Sequence, residues 1–137
     1  MALSKNKVYK KIGESGDTVS HPVQASTTIY QGAIVCFDSS GYITTAAATS
    51  GYRPAGIAAE YCDNSSGSAG DKEVKVEKGF GVYYATASAV QSHVGVPVYA
   101  TADDTFTVSS GNSGCFGVID KVVSGTAWYI RINRVLK

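Results

Sequence analysis

Two histidines, three cysteines and one adjacent pair of aspartates are the side chains most suited to chemistry in this chain. His21 and His93 have no second histidine at three- or four-residue spacing and no cysteine at metal-ligand spacing. Cys36, Cys62 and Cys115 are odd in number and lack a C-x-x-C spacing, which argues against a disulfide framework. Cys36 and Cys115 lie in the apolar runs IVCF and GCFGVI, where a free cysteine behaves as a small hydrophobe. Asp103 and Asp104 are neighbours, and neighbours on an extended chain point to opposite sides, so they read as a turn. Neither a G-x-S-x-G elbow nor a phosphate-binding G-x-x-x-x-G-K-[ST] loop occurs, and the GFG at Gly79 reads as a bend. The expectation is a protein that is not an enzyme, with no catalytic residues, no metal and no cofactor. A small hydrolase would need His21 or His93 beside a cysteine or carboxylate in space.

Composition narrows the elements that position these residues. Hydrophobic residues make up 44% and charged residues 17%, below the usual quarter. Tyr, Val, Ile and Thr are frequent, whereas leucine occurs only at Leu3 and Leu136, which disfavours a helical bundle. A net charge of +1 provides no field for nucleic acid. No apolar stretch is long enough to span a membrane. The start MALSKNKVYKK has no apolar core of a signal peptide, so synthesis and use without Sec export are expected.

The chain also says much the same thing twice. A shift of 63 positions carries Gly16, Val19, Gly32, Val35, Thr44, Ser50 and Gly51 onto Gly79, Val82, Gly95, Val98, Thr107, Ser113 and Gly114. With shorter shifts, AGIA around Gly56 meets FGVI around Gly117, and KVEK after Val74 meets RINR after Ile130. Short β-runs ended by turn residues predict about eight to ten strands with little helix. The expected fold is all-β, a compact barrel or sandwich, which the repeat would divide into two similar units over about 16–78 and 79–137. In KEVKVEK, Val74 and Val76 alternate with an outward row of Glu73, Lys75 and Glu77. In WYIRIN, Trp128, Ile130 and Ile132 take one face, and Tyr129 and Arg131 the other.

Two segments break the repeat. Residues 1–15 form a basic arm ahead of a single domain over 16–137. Two readings stay open for it: a solvated, frayed terminus, or an arm that orders on a partner through Lys5, Lys7, Tyr9, Lys10 and Lys11. The Gly/Ser-rich stretch from Asp63 to Asp71 reads as the most flexible internal loop. Nine tyrosines suit a mixture of core and subunit interface, with Tyr52, Tyr61, Tyr83 and Tyr84 as interface candidates; a carbohydrate or base-stacking platform is the other reading.

The order of IYQGAIVCFDSSGYI, AGIA, VKVEKGFG, GVPVYAT, TFTVSS, FGVID and WYIRINR resembles the capsid cement, or decoration, proteins of tailed bacteriophages, over about residues 16 to 135. The resemblance implies a mostly β virion protein, made in the host cytoplasm, that binds the outer capsid face. It would act as a homotrimer that clamps major capsid protein subunits and stabilises the shell. The competing expectation is a carbohydrate- or protein-binding β module such as a tail or fibre component.

Overall fold

The structure is a computed structural model that describes residues 3–6, 11–12, 16–86, 88–109 and 114–133. Its strands among those residues are β1 (Lys11–Ile12), β2 (Asp17–Pro22), β3 (Thr27–Ile29), β4 (Ile34–Phe37), β5 (Ile43–Thr45), β6 (Arg53–Ala58) and β7 (Cys62–Asn64). They continue with β8 (Glu73–Lys78), β9 (Gly81–Ala85), β10 (Pro97–Ala102), β11 (Thr105–Thr107), β12 (Gly117–Ser124) and β13 (Ala127–Ile132). The only helical element described is one 3-10 turn, Gln91–His93. The fold is all-β and sandwich-like. Its thirteen described strands exceed the eight to ten expected, because pieces of two or three residues carry no readable alternation.

Three sheets stack in layers. A six-stranded sheet runs β1-β9-β13-β12-β10-β11, a five-stranded sheet β2-β8-β6-β4-β5, and a ribbon pairs β3 with β7. The five-stranded sheet is apolar on both faces. Ile34, Cys36 and Ile57 join the core shared with the six-stranded sheet. Val35, Ala55, Ala58, Val74 and Val76 face a second core closed by Ile29 and Cys62 of the ribbon. Two-sided burial explains why IVCF is a continuous apolar run.

Leaving β1 aside, both large sheets place their strands in one order by chain position: first, fifth, fourth, second, third. The ladders correspond residue by residue. Val35 opposite Gly56 matches Val98 opposite Gly117, and Phe37 opposite Ile43 matches Ala100 opposite Phe106. Val19 opposite Val76 matches Val82 opposite Ile130. The offset of 63 therefore holds for the first three strands of each sheet. For the last strand, Val76 corresponds to Ile130, two residues away from the sequence match of KVEK with RINR. A slip of two keeps every side chain on its face, so the apolar pattern alone does not fix it.

β8 lies inside its sheet between β2 and β6, so its charged row guards no edge. Glu73 and Lys75 are exposed as expected, but Glu77 is only 5% exposed. Its neighbours Gly16 and Gly56 leave it room, and a Cβ at Gly16 would come 3.0 Å from the Glu77 Cγ.

The β4–β5 hairpin is closed by Asp38. Its carboxylate accepts hydrogen bonds from the backbone N–H of Ser40 (2.8 Å) and Tyr42 (3.0 Å) and from Gln24 Nε2 (2.9 Å). Burial alone would raise its pKa, yet these donors together with Gly41 outweigh burial and hold it below the ordinary 3.8. The folded carboxyl thus releases its proton more readily than the unfolded one. Its stabilisation is full above the unfolded value and is lost as pH falls through the folded one. Asp38→Ala should cost about 2 kcal/mol at neutral pH and flatten the acid limb of stability against pH. Urea unfolding at a series of pH values measures both.

Candidate interaction surface

Strand alternation in the six-stranded sheet separates a core face from an open one. Val82, Tyr84, Val98, Ile119, Trp128 and Ile130 point into the core. Tyr83, Pro97, Tyr99, Val118, Tyr129 and Arg131 stand on the opposite face, half-buried or exposed. The registers place Tyr83 opposite Tyr129, Arg131 opposite Val118, and Val118 opposite Pro97. Arg131 lies over the Tyr129 ring at 5.8 Å from its centroid and pairs with Asp120 at 3.4 Å. A register shift in β12 between Ile119 and Lys121 leaves Asp120 as the bulged residue on this strand. An exposed ion pair contributes little to stability, so its role here is to fix the guanidinium over the ring. The result is an aromatic and apolar sheet face with one held charge pair, suited to contact with a protein surface.

The same positions in the five-stranded sheet are Ile34, Cys36 and Ile57, equivalent to Pro97, Tyr99 and Val118. They are buried between the layers. One face of the repeated unit is thus covered within the chain, and its counterpart, half-buried to exposed, carries no further layer among the described residues.

The tyrosines singled out from sequence do not form one surface. Tyr83 is 38% exposed and belongs to the open face. Tyr61 is 47% exposed but adjoins the ribbon, with its ring 5.6 Å from Tyr30. Tyr52 is half-buried and packs on the shared core. Tyr84 is a core residue at 5% exposure, its ring edge-on to Phe106 at 4.8 Å, and so is closed to a partner. Tyr83 and Tyr84 are adjacent on a strand and cannot share a face. The alternation of WYIRIN places Tyr129 beside Arg131, but alternation alone does not tell that no layer of the described residues lies over this face.

Both segments that break the repeat make contacts with the body through their described residues. Lys5 is exposed, but Leu3 donates its N–H to Asp103 Oδ1 (2.8 Å) and packs against the ribbon core, while Asn6 Oδ1 accepts from the Gln31 N–H (2.9 Å). Lys11 lies on β1, paired with Val82. Lys7, Tyr9 and Lys10 lie outside the described residues. Two hydrogen bonds and the packing of the partly buried Leu3 thus tie the described part of the arm to the body. The stretch from Asp63 to Asp71 is likewise tied down. The amide of the buried Asn64 donates to the Gln24 and Ser68 carbonyls (3.0 and 3.1 Å), Gly70 N–H reaches the Val23 carbonyl (2.9 Å), and Lys72 Nζ reaches the Asp63 carbonyl (2.7 Å).

The candidates for chemistry are spread apart. His21 stacks edge-on against Phe37 at 4.9 Å, and burial, then Lys78, pushes its pKa down against Glu73. His93 Nδ1 accepts from Trp128 Nε1 (3.3 Å), a contact that orients the indole from the 3-10 turn. Burial pushes the Cys36 thiol up to about 12 against one backbone hydrogen bond from Ala47. Asp103 and Asp104 form the β10–β11 turn, as read from sequence. Burial first, then Asp104, raises Asp103 above the ordinary range despite the Leu3 N–H. Beside this hairpin lies an open cleft of about 500 Å³, lined by Ala85, Thr86, Thr101 and residues 104–107.

Comparison with protein-family models finds no match, and comparison with curated proteins finds none either.

Proposed function

We propose that this chain is a virion structural protein that binds the outer surface of a phage capsid and stabilises it by holding coat subunits together. The observation that carries the reading is the half-buried to exposed aromatic face of the six-stranded sheet, over which no layer of the described residues lies. Its covered counterpart between the layers gives it a precedent as a packing surface. The order of glycine and β-motifs that resembles the cement proteins supports the choice of partner, the major capsid protein. A rigid layered scaffold with a sticky face suits attachment in many copies, where modest affinity per copy is enough. Self-association as a homotrimer belongs to the same proposal.

Mixing the purified protein with expanded capsids that lack it, then pelleting, tests the reading. Saturable co-sedimentation and a raised temperature of capsid disruption are expected. Replacing Tyr83 and Tyr129 together by aspartate should weaken binding by about tenfold or more, since buried aromatic anchors dominate interfaces, without unfolding the domain. No co-sedimentation, combined with tyrosine-dependent binding on a glycan array, would favour the carbohydrate-binding module instead.

A further inference from the structure

The 3-10 turn Gln91–His93 is fastened to the six-stranded sheet through one side chain. No residue of the turn is buried, and Val90 and Val94 beside it are 46% and 41% exposed. The backbone is anchored on either side of this stretch, by Ala89 N–H to the Gly125 carbonyl (2.9 Å) and Gly95 N–H to the Ile119 carbonyl (2.7 Å). Between those anchors the hydrogen bond to the sheet is made by His93 Nδ1. It accepts from Trp128 Nε1 (3.3 Å) and also from the Val90 N–H at the head of the turn (3.4 Å). The imidazole stands edge-on to the indole at 5.5 Å. Trp128 is 2% exposed and is the one tryptophan of the chain. Both contacts need a lone pair on Nδ1, so the neutral ring carries its hydrogen on Nε2. A charged imidazole donates from both nitrogens and accepts at neither. Among the described residues no neighbouring charge offsets that change. On β12, Asp120 pairs with Arg131 and Lys121 stands opposite Tyr129, on the open face with these two residues of β13. Tyr84 of β9, opposite Trp128, points into the core, and burial first, then Asp104 and Asp103, keeps its hydroxyl protonated. Residues 86–96 hold no titratable side chain besides His93.

We propose that His93 is a proton-operated latch. Uptake of one proton breaks the bond to the Trp128 indole and uncaps the turn. Water must then replace the lost acceptor, because a buried N–H without one is costly. Residues 90–94 therefore swing off the sheet between the Ala89 and Gly95 anchors and uncover the edge of Trp128. The rest of the domain stays folded, since the turn takes no buried side chain with it. The latch opens as pH falls through the range in which imidazole ordinarily takes up a proton, about pH 6.5. It is a property of the chain alone and does not depend on the capsid reading.

The single tryptophan reports the change. On going from about pH 7.5 to about 5.5, either side of the imidazole range, emission of the full-length chain should move to longer wavelength. Quenching by acrylamide should rise about twofold or more, while far-ultraviolet circular dichroism holds its β signal. His93→Asn keeps an acceptor oxygen near the place of Nδ1 and does not titrate, so it should stay closed at both pH values. His93→Ala should be open at both, and His21→Asn should keep the wild-type transition. If His93→Ala does not fold, His93→Asn carries the comparison. An emission that does not move, or a shift that persists in His93→Asn, overturns the proposal. So does a shift lost in His21→Asn, one that coincides with loss of the β signal, or a folded His93→Ala quenched no more than the wild type at the higher pH.

Discussion

Phe116→Ala is expected to destabilise the fold by about 4 kcal/mol, the range for deleting a fully buried phenylalanine that leaves a cavity. Phe116 is 0% exposed. Its ring lies 5.6 Å from Phe106, which in turn meets Tyr84 at 4.8 Å, so the cavity would open in the middle of an edge-to-face aromatic series. The site cannot collapse easily, because Ile130, Ile119 and Val98 around it belong to rigid strands. The equivalent residue in the other sheet is Ala55. Similar contrasts hold for Val74 and Trp128, Ile43 and Phe106, and Ala58 and Ile119. The sheet with small residues is filled by Ile29 and Cys62 of the ribbon, with Leu3 packed beside them; the sheet with large ones fills itself. Ala55→Phe should therefore also destabilise, by about 2 kcal/mol, through overpacking against the ribbon. Guanidinium unfolding of the two variants measures both, and a Phe116→Ala loss below about 1 kcal/mol would contradict the packing described.

Gly117→Ala and Gly56→Ala should each cost about 3 kcal/mol, at equivalent positions and for partly different reasons. A Cβ on Gly117 would run into the Arg131 carbonyl oxygen, a backbone atom that cannot swing away. A Cβ on Gly56 would meet the Glu77 carbonyl oxygen and come 3.1 Å from Val76 Cγ1. Gly56 also has φ of 142°, at the point where Ala55 is squeezed out of the β4–β6 ladder as a bulge, so alanine there adds backbone strain. Thermal unfolding should show both losses. Gly125→Ala serves as the control, because a Cβ there meets nothing within 4 Å.

Much of this architecture is legible before any coordinates. Alternation identifies β8 and β13, and the Gly-Val identities at an offset of 63 mark strands that later prove equivalent in register. The burial of Glu77 is not legible, because it depends on two distant glycines meeting across β8. The place of the arm and of residues 63–71 is not legible either. A Gly/Ser-rich stretch looks mobile until a buried asparagine amide is seen holding its carbonyls.

By itself the sequence determined the β class, the repeat and the inward face of nearly every long strand, since period-two patterning and turn residues are local properties. Which faces are covered was decided only by the tertiary structure. Burial of a sheet face depends on what another part of the chain places over it, and equivalent residues meet different fates: Cys36 lies between layers while Tyr99 borders solvent, and Val82 is buried in the shared core while Val19 is 45% exposed. The surface proposed to bind a partner is one where two local repeats are alike and their surroundings are not.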